Sequence, residues 1–429
     1  NPSDYLPYGN QEWNQDYSPS YAVFDVKDEK ISVKVYNLDG DSSNPTSKLI
    51  DTFSVTKDAN GGNQTEGFEN KTSSLALTQT ARYDSGITNA DGGVTEIVEY
   101  NTKTGWAYAV NGQTGNLTAI PFKTQESKDT VDLLDANDID IKSLIEEKDA
   151  SFQYGDMTSV SISADGKHLA VALQAENYAD NGRAALFTCN ADGTLTLANI
   201  YQTGVQPDMI TFTPDGSKIL TADEGEPREG YSKKSVDPQG TVTVIDLAAD
   251  TVTKADFTAF DNEQSRKQLT DAGIVLKKNT APSVDLEPEY IAAENNTAYI
   301  TLQEANAIAV LDLTTNKITN IYSAGFEDYN KTPVDIDKKD GTYKAQTYES
   351  LKGIRMPDSI ASYSVNGTNY VVIANEGDSR KWGDYTNEDE RNFSKGKTSP
   401  TGNITPENSG LNGKVVFFDT KDYDGLDSN

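Results

Sequence analysis

Histidine and cysteine are almost absent from this chain. Its 429 residues hold one of each, His168 and Cys189. One cysteine cannot build an internal disulfide framework, and this inventory excludes a zinc site of the His/Cys type. A Ser-His-Asp triad is confined to the surroundings of His168, and no Gly-x-Ser-x-Gly elbow occurs. His168 opens an apolar strand pattern and Cys189 closes the run AALFTC, so both read as structural. Positive charge is scarce too: 37 Lys and Arg stand against 67 Asp and Glu, a formal net charge of −30. Nucleic acid needs a basic footprint and is not expected as a partner. Anionic lipid would repel so acidic a chain. No stretch of about twenty apolar residues exists, so no membrane insertion is expected.

What the chain has instead is a recurring hairpin. Its clearest copy runs GIRMPDSIASYSVNGTNYVVIANEGDSR, from Gly353 to Arg380. Ile360–Ser364 and Tyr370–Ala374 are β-branched and aromatic, and Val365-Asn366-Gly367-Thr368 is the turn between them. Asp358 stands before the first strand, and Asn375, Glu376 and Asp378 follow the second. A hairpin folds back on itself, so these two acidic ends come side by side. An earlier copy has Asp208 at its start, the turn Pro214-Asp215-Gly216-Ser217, and Asp223-Glu224 at its end. A third has Glu289 at its start, Glu294-Asn295-Asn296 as turn, and Gln303-Glu304 at its end. Looser copies lie at 95–112 and 158–177. Anchored at Ile97, Val160, Ile210, Ile291 and Ile360, the copies are spaced 50 to 81 residues apart. A four-stranded propeller blade needs about 40–50 residues, so each interval holds one blade and a loop. Further strand pairs follow three of the copies, among them Thr241–Leu247 with Thr251–Phe257. We therefore expect an all-β fold, a β-propeller of about five four-stranded blades over residues 77–429.

Every turn within a hairpin is short, while the long insertions (131–156, 224–240, 261–288, 323–356, 376–412) fall between hairpins. In an up-and-down blade those insertions emerge on one face, the usual place for binding residues. Short helices are expected within Asp138–Lys148 and Asp261–Ala272. Residues 58–76, rich in Gly, Asn and Thr, read as a linker. Residues 1–57 read as a separate small β segment with strands at Ser20–Val26, Lys30–Tyr36 and Leu49–Val55.

Two resemblances follow. The runs YAVFDV, ISVKVY and LID in residues 1–57 resemble the C-terminal tail of calcineurin-like metallophosphoesterases. The runs PDMITFTPDGSKILTADEGEP, LEPEYIAAENNTAYITLQEANAIAVLDL and GIRMPDSIASYSVNGTNYVVIANEGDSR resemble the propeller of choice-of-anchor I proteins. This second resemblance implies a secreted or cell-surface protein, mostly of bacterial type, often joined to a metallophosphoesterase. The metal-binding histidines of such an enzyme would lie upstream of Asn1, so this chain alone is expected to lack that activity. The family continues past the position of Asn429. The resemblance thus implies an incomplete ring, whose open edge could pair with a C-terminal remainder or with another copy.

For chemistry, oxygen ligands are what the sequence offers. Carboxylates and amides suit hard cations such as Ca2+. The hairpin ends nominate Asp208, Asp223, Glu224, Glu289, Glu304, Asp358, Asn375 and Glu376. The run Asp335, Asp337, Asp340 before Gly341 is a second candidate, although its spacing departs from the EF-hand loop. The plainer alternative is that these acids fix turns by hydrogen bonds. Arg228, Arg355 and Arg380 are the candidates for holding an anion or for neutralising the acids. Two functions follow from this inventory. One is a non-catalytic module binding an extracellular ligand. The other is a calcium-dependent phosphoesterase at the propeller mouth.

Overall fold

The computed structural model describes residues 81–87, 94–112, 114–122, 131–132, 136–336, 343–349, 351–365 and 367–426, and the backbone of four earlier strands. Those four, Ser20–Lys27, Lys30–Asp39, Thr46–Lys57 and Asn63–Glu66, form one antiparallel sheet in chain order. Three of them match the strands read from the sequence. The fourth lies within 58–76, the stretch expected as linker.

The rest is a succession of four-stranded antiparallel sheets. The first holds Thr95–Asn101, Trp106–Asn111, Asn116–Pro121 and Asn137–Asp140. The second holds Tyr154–Ile162, His168–Ala175, Asn181–Cys189 and Leu195–Val205. The third runs Pro207–Phe212, Lys218–Asp223, Thr241–Asp246 and Thr251–Asp256. The fourth runs Pro288–Glu294, Thr297–Leu302, Ala307–Asp312 and Lys317–Ser323. The fifth hairpin, Pro357–Val365 with Thr368–Asn375, is a two-stranded sheet among the described residues. Glu388–Asn392 and Lys414–Phe418 form a further pair. The five first strands touch one another in order, which makes them the innermost ring of a β-propeller. Side chains stitch neighbouring blades together: Thr158 Oγ1 donates to the Pro207 carbonyl at 2.8 Å, and Thr301 Oγ1, from a second strand, to the Asp358 carbonyl at 2.6 Å.

The sequence explains the layering. Second strands such as LAVALQ and ILTAD carry apolar or small residues on both faces, because neighbouring blades cover both. The outermost Thr251–Asp256, TVTKAD, is covered on one side only and is mostly exposed. Between blades the core is continuous, with Leu220, Val242, Leu286, Ile300 and Leu302 all inaccessible to solvent. Each such side chain contributes about 1.5–3 kcal/mol of burial. Turns use the expected residues. Asp250, Asn295 and Asn316 take positive φ (52°, 54° and 53°), which Asn and Asp tolerate better than other side chains. Both expected helices form, at Ile141–Lys148 capped by Asp140 and at Glu263–Asp271 capped by Asn262.

Candidate functional site

First strands start, and second strands end, on the face that carries the long insertions. Asp208, Glu224 and Glu289 therefore meet there, and one carboxylate oxygen from each lies within 4.8 Å of the other two. Asp208 enters with the first strand of the third blade. Glu224 follows its second strand, and Glu289 enters with the first strand of the fourth blade. Glu224 is 6% exposed, and burial together with the charges of Asp208 and Glu289 pushes its carboxyl well above the usual range. Burial and Glu304 do the same to Glu289. Burial also lifts Glu304 to about 7, against an opposing pull from Arg380.

Two further acids, Glu226 and Glu287, complete the mouth and a third, Asp285, lies beneath it; the sequence reading did not nominate them. Trp382 Nε1 donates to Glu226 Oε1 at 3.0 Å. Glu287 is 2% exposed, and neither of its carboxylate oxygens has a hydrogen-bond partner. Asp285 is paired with Arg380. Alternation could have found Glu287: it and Glu289 are two apart on the extended chain that enters the first strand, while Leu286 is buried in the core and Asp285 ends the short helix Pro282–Asp285.

The rule also sorts Asp223 from Glu224. Asp223, expected at the mouth, turns the other way into its blade. There its carboxylate accepts from the hydroxyls of Thr221, Thr241 and Thr243 at 2.7, 2.9 and 2.6 Å. Burial raises it to about 6, although the three hydroxyls pull it down. The chain packs so tightly here that a Cβ on Gly204 would fall 2.2 Å from Thr241 Oγ1. Asp223 thus serves the blade, not the mouth.

The remaining expected residues divide. Asp358 bears on Glu289 electrostatically, and its side chain accepts from Ser359 Oγ. Glu376 is exposed and accepts from Gln303 Nε2 at 3.0 Å, while Asn375 is also exposed. Asp335 accepts from the Lys344 amide at 2.7 Å and lines a cavity with Glu376; Asp337 and Asp340 lie outside the described residues. Each of the three arginines is paired with an acid. Arg380 Nη1 donates to Asp285 Oδ1 at 2.6 Å and to Tyr231 OH at 3.0 Å. Burial works against its charge, but Asp285, Tyr231 and Glu287 hold the guanidinium firmly protonated. Its flat face rests on the rings of Trp382 and Tyr423. Arg355 donates to the Ala324 carbonyl and pairs with Glu327, and Arg228 donates to Gln174 and Glu226.

Two entrances to this face are strained. Gln206 and Met356, each immediately before the Pro-Asp of a first strand, have φ of 55° and 48°. Proline disfavours helical conformations in the residue before it, so these positions are held by their surroundings. The Met356 amide donates to Asn306 Oδ1 at 3.0 Å, and Gln206 accepts from the Glu224 amide at 3.0 Å. Beside the mouth, Met356, Glu376, Asp378, Ser379, Asn387 and Glu388 line part of a cavity of 490 Å³.

Residues 96–427 match the family model of the choice-of-anchor I domain. The chain belongs to the choice-of-anchor I family. No curated protein matches it in sequence. Solved structures similar to this choice-of-anchor I propeller are distant. The β-propeller domain of Myceliophteria thermophila Cps50 (Swd1) is 11% identical, with 54% of this chain and 56% of that one covered and a TM-score of 0.33. The chain thus spans little more than half of that relative. Kuenenia stuttgartiensis hydrazine synthase is 12% identical over 69% of this chain and 83% of that one, TM-score 0.35. The nidogen/laminin complex is 11% identical over 71% and 94%, TM-score 0.32. At this distance the likenesses carry no argument about function.

Proposed function

We propose that this chain is a secreted or cell-surface ligand-binding module that engages its extracellular ligand at the acidic mouth, without chemistry of its own. The observation that carries the reading is the convergence of Asp208, Glu224 and Glu289 from two blades on the loop-bearing face. Buried carboxylates held together cost stability, and a fold retains such an arrangement where it serves a purpose. The phosphoesterase alternative needs basic groups beside the acids to hold phosphate. Arg228, Arg355 and Arg380 are engaged with Glu226, Glu327 and Asp285 instead. Association with a metallophosphoesterase, suggested by residues 1–57, fits the same picture of a surface protein assembled from modules.

The test is capture on extracellular matrix proteins and glycan arrays by the labelled chain. Glu224→Gln with Glu289→Gln should abolish capture, and Asp192→Asn on the tight-turn face should leave it intact. Capture lost only with the turn-face change would move the site away from the mouth. Turnover of a generic phosphate ester by wild type, lost in the double variant, would replace this reading with the enzymatic one.

A further inference from the structure

Six carboxylates, from Asp208, Glu224, Glu226, Glu287, Glu289 and Glu304, stand around the mouth. Arg380, the positive charge that bears on Glu287 and Glu304, is hydrogen-bonded to Asp285. Asp208, Glu224 and Glu289 converge tightly. Independently, Glu287 is fully buried with both oxygens unpartnered. Its charged neighbours include Glu226 and Glu304, the same two that bear on Glu224. Glu287 thus shares the neighbours Glu226 and Glu304 with Glu224 and has Arg380 as its positive neighbour. A buried carboxylate with no hydrogen bond is stable beside positive charge or as the neutral acid.

Resting on the reading of the mouth as a binding site, we propose that Asp208, Glu224 and Glu289 hold a divalent cation of the calcium class. Every donor at the mouth is oxygen, which selects hard cations over zinc or copper. His168 and Cys189, the chain's softer ligands, lie at the far ends of their strands, on the tight-turn face. The three oxygens lie within 4.8 Å of one another, close enough for one ion to bridge them. Magnesium demands a near-ideal octahedron and gives up its waters reluctantly, whereas calcium accepts irregular carboxylate sets. Three carboxylates leave part of a coordination shell of six to eight open. Those positions are where an oxygen-rich ligand, such as a sugar hydroxyl pair or a carboxylate, would complete the shell. Glu287, two residues before Glu289 and beside Arg380, serves as a positioning residue.

The experiment uses the chelator-treated full chain and the metal alone. Calcium chloride is titrated by calorimetry, and terbium emission excited through tryptophan is followed in parallel. Trp382, bonded to Glu226, places a sensitiser at the mouth. We expect a single-site heat and terbium emission that calcium displaces. Both should weaken at least tenfold in Glu224→Gln and in Glu289→Gln, and be unchanged in Asp215→Asn on the opposite face. Calcium should bind at least tenfold tighter than magnesium. Each glutamine variant removes a buried charge and is expected to fold; circular dichroism confirms it, and either variant alone suffices. Folded wild type that gives no heat and no calcium-displaceable emission overturns the proposal, as does full binding by both variants. Ligand capture that persists in chelator would leave the mouth as the binding site while removing the cation.

Discussion

Asp and Glu do opposite things at the two ends of each blade. On the tight-turn face, Asp165, Asp192, Asp215, Asp246 and Asp312 all titrate below the ordinary range. Hydrogen bonds within the turns do this, as when Asp215 accepts from Thr213 Oγ1 at 2.7 Å and the Ser217 amide at 3.0 Å. At the mouth, Glu224, Glu287, Glu289 and Glu304 all titrate above it, chiefly through burial. The turn acids make the fold; the mouth acids strain it. Acid fixing a turn, the plainer expectation for the hairpin ends, describes the other end of the blade.

The largest effect tests the balance beneath the mouth. Arg380→Met strands Asp285 without its partner, and should cost about 3–5 kcal/mol of stability in urea unfolding. Adding Asp285→Leu should recover much of that loss, because an apolar pair replaces an ion pair. A smaller cost for the single change than for a core truncation such as Leu220→Ala, about 2–5 kcal/mol, would mean the pair is solvated after all. Next, Glu224→Gln in chelator should stabilise the chain by at least about 1 kcal/mol, since it deletes one of three crowded charges. Equal or lower stability would mean that the crowding is already relieved.

The pH dependence separates the two faces by sign. A mouth carboxyl has a higher pKa folded than unfolded. Its stabilising contribution is complete below about pH 4, the unfolded value, and is lost as pH rises through the folded one. With Glu304 near 7, melting temperature in chelator should fall between pH 5 and pH 8, and Glu304→Gln should flatten that slope. The turn aspartates run the other way: their contribution is present above about pH 4 and lost as acid protonates them. The smallest effect belongs here. Asp215→Asn should cost under about 1 kcal/mol at pH 7, because its turn is exposed to water. It should also remove part of the acid limb of the stability profile. An Asp215→Asn penalty that exceeded the Glu224→Gln gain would reverse the ranking of the two faces.

The blades were legible because each hairpin announces itself locally. LTADEGEP and IANEGDSR carry their strand and their exit within eight residues, and turns such as Thr315-Asn316 identify themselves. The mouth was legible in part, since antiparallel return brings Asp208 to Glu224 whatever else the chain does. Two things were hidden. Neighbouring acids were read as one cluster, although side chains alternate, so Asp223 was sent to the mouth when it belongs to three threonines. The Arg380–Asp285 pair joins positions 95 residues apart, and no local pattern announces it. It depends on where two long insertions come to rest.

The facing of Glu287 and Glu289, on either side of Pro288 at the entry to a first strand, is set by parity. One residue added or removed between them would turn Glu287 toward Leu286's side, carrying a carboxylate into the core and an apolar side chain out. Substitutions along this stretch can be absorbed one at a time; a change of length cannot. Across related chains the spacing of these acids from Pro288 should therefore hold even where the acids themselves are exchanged.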